Sequence, residues 1–508
     1  MSSKPKLIIA GPGAGKTYGI VEEVIKLIPQ LNPNKLLVVT TYTNAATENI
    51  RSRLSKKIAI PRNVFIGTMH SFLNKFIVIP FVSHVDKQVQ AEKLFIQCGT
   101  DDILRETQKG KAKLDPQGAA IVKKRIKESM KKRGYITYDQ TISLAHESFK
   151  NKKVKAIISN RIQYLLIDEF QDTNNQIFEI VEHIRKQKKT SIYCVGDPEQ
   201  YIQSFDSSVK TFGNIPILKA SRSNSYELIL KKENHRSTET ICNFLNHFNG
   251  RTYKENVFKQ DSVSKVSGEA VYYIDAHTEA GNIIPLFMKK CEELKIKSIE
   301  RCIICKRNEI VKRCAAALKE DFITPDKQNR VSPLAEIKAI FLSSLSTNQT
   351  KFCTDHKCDR LDLRKVCLKI LKAIKQGIVT DENTYGKYVS EELGYQIKGN
   401  VPPRIKNLKI GKSVTKIDEA VQLSNIHIYK GLEADAVLCI AKNNSELELW
   451  LETDGDIRET KRTNETTDYP RLGYVAFSRA RKLLCIGCLE PMTEKNKKKL
   501  TELNVTEL

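Results

Sequence analysis

Two strand ends constrain this chain more than anything else in it. The apolar run Leu7-Ile8-Ile9 empties into Ala10-Gly11-Pro12-Gly13-Ala14-Gly15-Lys16-Thr17, where backbone N–H groups can cradle phosphate as a helix begins. Much further on, Tyr164-Leu165-Leu166-Ile167 delivers Asp168 and Glu169, within Ile167-Asp168-Glu169-Phe170-Gln171-Asp172-Thr173. In this reading Lys16 reaches the β- and γ-phosphates, and Thr17 binds Mg²⁺ with Asp168 in the metal's outer shell. Glu169 is the candidate base for the attacking water. Together the two segments point to NTP hydrolysis on a parallel α/β scaffold, in which apolar strands alternate with helices. The first loop position is Ala10 rather than glycine, so the strict phosphate-loop pattern is missed by one residue. A glycine-rich turn without a ligand is the plain alternative.

Charge suggests what such a site would act on. Lys and Arg number 84 against 59 Asp and Glu, a formal +25 over 508 residues, which favours a polyanionic partner, nucleic acid first. A solubility device or a membrane footprint is the alternative. No segment approaches the ~20 apolar residues of a bilayer span, and the short first strand runs straight into the loop, so the chain reads as cytoplasmic with no membrane partner. The 13 cysteines are scattered, which suits a reducing compartment. Cys302/Cys305 and Cys485/Cys488 lie in apolar runs that read as buried strands, where residues three apart point to opposite faces and cannot easily chelate together. Cys353, His356 and Cys358 form a looser cluster in which a structural metal site stays open.

Further segments follow in a fixed order, and with them the chain resembles the UvrD-like (UvrD/Rep/PcrA) superfamily-one DNA helicases over most of its length. Thr41-Tyr42-Thr43-Asn44-Ala45-Ala46 resembles TFTNxAA, and Gly67-Thr68-Met69-His70-Ser71-Phe72 resembles GTxHSF; both imply contacts with single-stranded DNA. Val195-Gly196-Asp197-Pro198-Glu199-Gln200 resembles the motif whose glutamine links γ-phosphate to the DNA groove. Asn234-His235-Arg236-Ser237 resembles NYRS, His427-Ile428-Tyr429-Lys430-Gly431-Leu432-Glu433 resembles HxAKGLE, and Tyr474-Val475-Ala476-Phe477-Ser478-Arg479-Ala480 resembles YVAxTRA. The resemblance implies ATP and Mg²⁺ as cofactors, 3′-to-5′ polarity, and turnover carried by Lys16, Thr17, Asp168, Glu169, Gln200, Arg236, Glu433 and Arg479. Arg236 and Arg479 would act as arginine fingers from across a cleft, because a delocalised, always-charged fork neutralises charge developing in phosphoryl transfer. Gly431 and Glu433 join the nucleotide-binding set with Ala10 to Tyr18 and His235. For DNA the implied set is Thr41, Tyr42, Asn44, His70, Ser71, Phe72, Phe205, His427 and Lys430. Base stacking is expected of Tyr42, Phe72 and Phe205, each with core packing as the alternative.

The departures are informative. The family reads adenine with a glutamine before the phosphate loop, and here no glutamine precedes it. Family members also sandwich the base between an arginine and a tyrosine; this chain has Tyr18 and His235 there, so a Tyr18/His235 stack with weakened ATP preference is expected. On the DNA side QSIYxFRGA is replaced by Gln200-Tyr201-Ile202-Gln203-Ser204-Phe205-Asp206-Ser207-Ser208, with Gln203 for an aromatic and Asp206 for an arginine. Unwinding that is weak or partner-dependent would follow.

The expected fold is α/β: two RecA-like parallel-sheet lobes with a helical insertion in each. Residues 1–75 and 151–225 make the phosphate-loop lobe, interrupted by a basic helical insertion at 76–150 with Lys123-Lys124-Arg125 and Lys131-Lys132-Arg133 as clusters for phosphate tracking or a solvated face. Residues 226–330 and 415–508 make the second lobe. Its insertion, 331–414, is shorter than in full-length relatives; it carries helical spacing from Leu361 to Ile374 and a linker at Val401-Pro402-Pro403. Two functions fit. One is an ATP-dependent helicase or translocase acting on single-stranded and tailed duplex DNA. The other is a nucleotide-sensing DNA-binding subunit similar to the Gabija antiphage helicase subunit, which accompanies an OLD-family nuclease.

Overall fold

Strand β1 (Lys6–Ala10), β2 (Leu36–Thr41), β3 (Val64–Thr68), β4 (Ile162–Ile167), β5 (Ser191–Gly196) and β6 (Glu227–Lys231) form one parallel sheet in the order β3-β2-β4-β5-β1-β6. In the computed structural model the residues described are 4–87, 100–108, 114–132, 136–203, 211–266, 268–275, 280–318, 321–323, 333–358, 360–398, 420–459 and 468–508. Phe205, Asp206, Arg133 and the Val401-Pro402-Pro403 linker lie outside them. Helices cover both faces of the sheet, so its inner strands read as continuous apolar runs rather than alternating ones. Leu7, Ile9, Leu165 and Ile167 face one core, and Ile8, Leu37, Val39 and Leu166 face the other. Each side chain so enclosed stabilises the lobe by roughly 1.5–3 kcal/mol.

The chain divides into two compact units, the first comprising residues 1–296, 301–317 and 425–508 and the second 297–300 and 318–424. The first unit also contains a second parallel sheet, built from β7 (Val271–Ile274), β8 (Arg301–Cys305), β9 (Ala434–Ala441), β10 (Ala480–Cys488) and β11 (Val505–Glu507), ordered β8-β9-β10-β7-β11. Cys302, Cys305, Cys485 and Cys488 are strand residues of this sheet, buried like their apolar neighbours. The second unit is helical around Ile337, Phe341, Phe352, Leu363, Ile370 and Tyr385, with a helix at Arg360–Lys375 and a short parallel pairing of Phe322–Ile323 with residues 421–422. There the His356 ring lies 4.5 Å from Phe352 and 5.2 Å from Tyr395, as part of an aromatic cluster.

The region after β3 is helical, its longest element being Pro116–Lys132. Three lysines of that helix are already paired: Lys123 with Asp101 at 2.5 Å, Lys127 with Asp139 at 2.6 Å, and Lys131 with Asp86. These contacts neutralise part of the positive face within the fold itself. Among the described residues no helix is long and apolar enough to cross a membrane.

Candidate nucleotide site and DNA face

In the first sheet β5 separates β1 from β4, and all three run parallel, so their C-terminal ends open onto one edge. That edge is where ligands of open α/β sheets sit. From β1 comes the phosphate loop, from β4 the acidic pair, and from β5 the segment ending in Gln200. The loop can turn because Gly13 and Gly15 adopt φ of 71° and 67°, a left-handed conformation that costs a side-chain-bearing residue about 1 kcal/mol. Gly15 then caps the helix Lys16–Leu27, which buries Ile20, Val21 and Val24 on the sheet. The Lys16 ammonium is folded back on its own loop, 3.2 Å from the carbonyls of both Ala10 and Gly11.

Across the edge, Glu169 holds φ at 49°, unusual for a residue with a side chain, and the Asp168 carboxylate accepts the Glu169 backbone N–H at 2.9 Å. Strain of this kind collects at functional sites. Burial and the neighbouring Glu169 charge push the Asp168 carboxyl up, with Lys16 opposing. Burial also acts to raise Glu169, but Lys16, Lys430, a hydrogen bond from Gln171 and Arg479 together hold it below the ordinary range. The outcome is an ionised glutamate, oriented by the Gln171 amide at 2.6 Å, beside an aspartate whose burial Lys16 only partly offsets. A divalent ion at Asp168 and Thr17 suits that donor set, and a triphosphate suits a lysine resting only on backbone carbonyls.

The second half of the site arrives from the far part of the sequence. Arg479 is 2% exposed; its Nη2 donates to Gln200 Oε1 at 3.1 Å and to Ser478 Oγ at 2.8 Å, while Nε donates to the Val475 carbonyl. Burial lowers this guanidinium to about 9. Arg236 donates to Glu433 at 2.5 Å and to the Ser478 carbonyl at 2.9 Å, and Glu433 also receives Arg481 at 3.3 Å. The His235 backbone N–H donates to the Gly13 carbonyl at 2.9 Å, which ties the arginine segment to the phosphate loop. Gly431 has a φ of 93°, and the short turn it makes sets Glu433 at the start of β9. His235 and Tyr18 are both exposed, and the Lys57 ammonium lies 5.1 Å over the Tyr18 ring.

The DNA candidates separate into distinct groups. Thr41 is fully buried, its hydroxyl bonded to Thr47 at 2.7 Å and to the Thr43 carbonyl, and so it supports the turn instead of facing a ligand. Phe72 is 2% exposed and packs with Phe65 and Phe76 at 6.5 and 5.8 Å, which removes it as a stacking platform: it is core. Tyr42 is half-buried with its hydroxyl donating to Thr173 at 2.7 Å, and Lys430 is bound to both carboxylate oxygens of Asp172 at 2.7 and 2.9 Å. Asn44, Ser71 and His427 are exposed. His70 is stacked on Tyr138, ring centroids 4.4 Å apart and planes 14° from parallel. Tyr138 is 42% exposed and escaped sequence reasoning, having no motif spacing to mark it.

Two further sites were also missed. Glu199, beside Gln200, is 4% exposed and faces Arg458 at 2.8 Å, Arg251 at 3.1 Å and Arg471 at 3.5 Å. Burial would raise its carboxyl, yet Arg471, Arg458 and Arg251 hold it down to about 2. Gln260, from the connection after the helix Glu239–Leu245, lies directly against the phosphate loop and donates to the Pro12 carbonyl at 3.0 Å.

Comparison with known proteins agrees with this geometry. Residues 1–79 and 81–214 match the family model described as UvrD/REP helicase N-terminal domain. The chain is 26% identical over 351 residues to an ATP-dependent DNA helicase Rep of Buchnera aphidicola subsp. Acyrthosiphon pisum, covering 60% of this chain and 50% of that one. It is 24% identical over 513 residues to the Rep of Buchnera aphidicola subsp. Schizaphis graminum, covering 88% and 72%. It is also 23% identical over 320 residues to the Gabija protein GajB of Bacillus cereus, covering 62% and 60%. The chain thus spans between half and about three quarters of the length of these relatives.

Proposed function

We propose, from the match of residues 1–79 and 81–214 to the UvrD/REP helicase N-terminal domain model, that this chain is a cytoplasmic ATP-dependent DNA motor: a UvrD-like helicase or translocase that moves 3′ to 5′ and hydrolyses NTP on single-stranded DNA. The observation that carries this reading is the meeting of Arg479 with Gln200, and of Arg236 with Ser478, at the edge that holds Lys16, Asp168 and Glu169. When bound, Mg²⁺ and a nucleoside triphosphate supply a polarised terminal phosphate. Lys16 and the loop N–H groups hold its oxygens, and Thr17 and Asp168 hold the metal. Glu169, ionised, orients the water and accepts its proton. Arg236 and Arg479 neutralise the charge that develops on transfer, and because both follow the last strand of the first sheet in the chain, turnover opens and closes the site.

The similarity to GajB favours a second reading, in which the same cycle is a nucleotide-sensing step. Here a DNA-binding subunit regulates a partner nuclease of the OLD family and unwinds little on its own. Gln203 in place of an aromatic fits it. One experiment separates the two: purified protein, ATP and a 3′-tailed duplex. Strand separation supports the autonomous helicase; DNA-stimulated hydrolysis without separation supports the regulated subunit. Lys16→Ala should abolish hydrolysis in either case while DNA binding persists, and hydrolysis that survives it would refute both.

A further inference from the structure

We propose that Gln260 is a positioning residue of the phosphate loop that makes the site favour a triphosphate over a diphosphate. The proposal rests on the reading of Ala10 to Thr17 as the nucleotide site. Gln260 is 2% exposed, and its main chain is fixed without help from its side chain: its N–H donates to Asn246 Oδ1 at 2.9 Å, and its carbonyl accepts from Asn246 Nδ2 at 2.8 Å and from the Cys242 thiol at 3.3 Å. The side-chain amide is therefore presented to the loop by a prebuilt support. Its Nε2–H holds the Pro12 carbonyl at 3.0 Å, while its Oε1 is buried and has no hydrogen-bond partner.

A buried acceptor without a donor is disfavoured, and one set against a ligand loop calls for a donor from that side. The loop also leaves space for this amide. A Cβ built on Gly11 would lie 2.4–2.7 Å from the Gln260 amide atoms, so a side chain at 11 must displace that amide, whereas Ala10, fully buried, is accommodated.

The position of Lys16 locates the contact along the nucleotide. Its ammonium, the group that takes the β- and γ-phosphates, lies on the Ala10 and Gly11 carbonyls, so Gly11 and Pro12 form the terminal-phosphate end of the loop. A donor brought in at that end, such as a water bound to the terminal phosphate, completes Oε1. A diphosphate stops one group short and leaves it unpaired.

The test uses the full chain and measures affinities for a non-hydrolysable ATP analogue and for ADP by displacement of a fluorescent nucleotide. Gln260→Ala should raise the ATP-analogue Kd by about fivefold or more and the ADP Kd by less than about twofold. Gly11→Ala should weaken the analogue by about tenfold or more, and Gly11→Ala/Gln260→Ala should restore it to the level of Gln260→Ala alone. The proposal is overturned by equal effects on the two nucleotides, by no effect, or by failure of the double variant to recover. Lys16→Ala distinguishes the levels: if it leaves the analogue affinity intact, the nucleotide reading itself fails and takes this one with it. If it abolishes binding while Gln260→Ala changes nothing, only the role of Gln260 falls.

Discussion

Glu199→Gln should cost the first unit about 3 kcal/mol at neutral pH without changing its shape. The magnitude follows from the site: three guanidinium groups hold a nearly fully buried carboxyl from its ordinary 4.5 down to about 2, and each pH unit corresponds to about 1.36 kcal/mol. Because the folded value lies below the unfolded one, the stabilisation is fully present above pH 4.5 and is lost as pH falls toward 2. The glutamine keeps the volume and an acceptor for Arg251 but leaves Arg458 and Arg471 with a buried positive charge, which is the costly way to break such a cluster. The single tryptophan, Trp450, is fully buried beside the helix that carries Arg471, so its fluorescence reports urea unfolding of this region directly. The midpoint should fall by roughly 1 M in urea, with a wild-type-to-variant gap that is constant from pH 8 to 5.5 and narrows below 4.5. A gap under about 1 kcal/mol at pH 7, or one that widens on acidification, would refute the reasoning.

Three other outcomes follow from the same geometry. Arg479→Ala should lower kcat for DNA-stimulated phosphate release by about 10³-fold or more with little change in KM, and a loss below tenfold sinks its assignment. ATP and GTP should be turned over with kcat/KM values within about fivefold of each other, since Tyr18 and His235 offer exposed rings and no reading hydrogen bond of the kind that yields discrimination of about 10⁴; strict ATP preference in a coupled assay would contradict this. Tyr138→Ala should weaken binding of a labelled oligothymidylate by roughly 1–3 kcal/mol in anisotropy measurements while leaving nucleotide KM unaltered, and an unchanged affinity would show that the His70 stack is not a base platform.

Much of the candidate nucleotide site could be proposed from the chain because its parts are local. A phosphate loop is a run of consecutive residues with fixed conformational demands, and the acidic pair is the end of one strand, so Lys16, Thr17, Asp168 and Glu169 announce themselves. The arginines could be found only through the motifs around them. What escaped was what depends on distant pairing: Gln260 belongs to no periodic pattern, and the Glu199 cluster draws on residues at 251, 458 and 471 whose proximity exists only after folding. Phe72 shows the opposite difficulty, since an aromatic in a DNA motif and an aromatic in a core look the same until its neighbours Phe65 and Phe76 are placed. The lysines of Pro116–Lys132 look like a free cationic face in sequence because their carboxylate partners lie elsewhere in the chain.

The contacts of Asp172 and Thr173 carry a thermodynamic obligation. Two side chains read as DNA contacts, Lys430 and Tyr42, are held by the two residues that close the acidic segment of the nucleotide site. A strand that draws Lys430 away must alter the surroundings of Glu169, and a nucleotide that alters Glu169 must alter what the strand finds at Lys430. Whatever factor DNA applies to nucleotide affinity, the nucleotide applies to DNA affinity in equal measure. Four binding constants measured around one closed cycle would give that factor, and with it the greatest tightening of grip that nucleotide binding can impose on the strand.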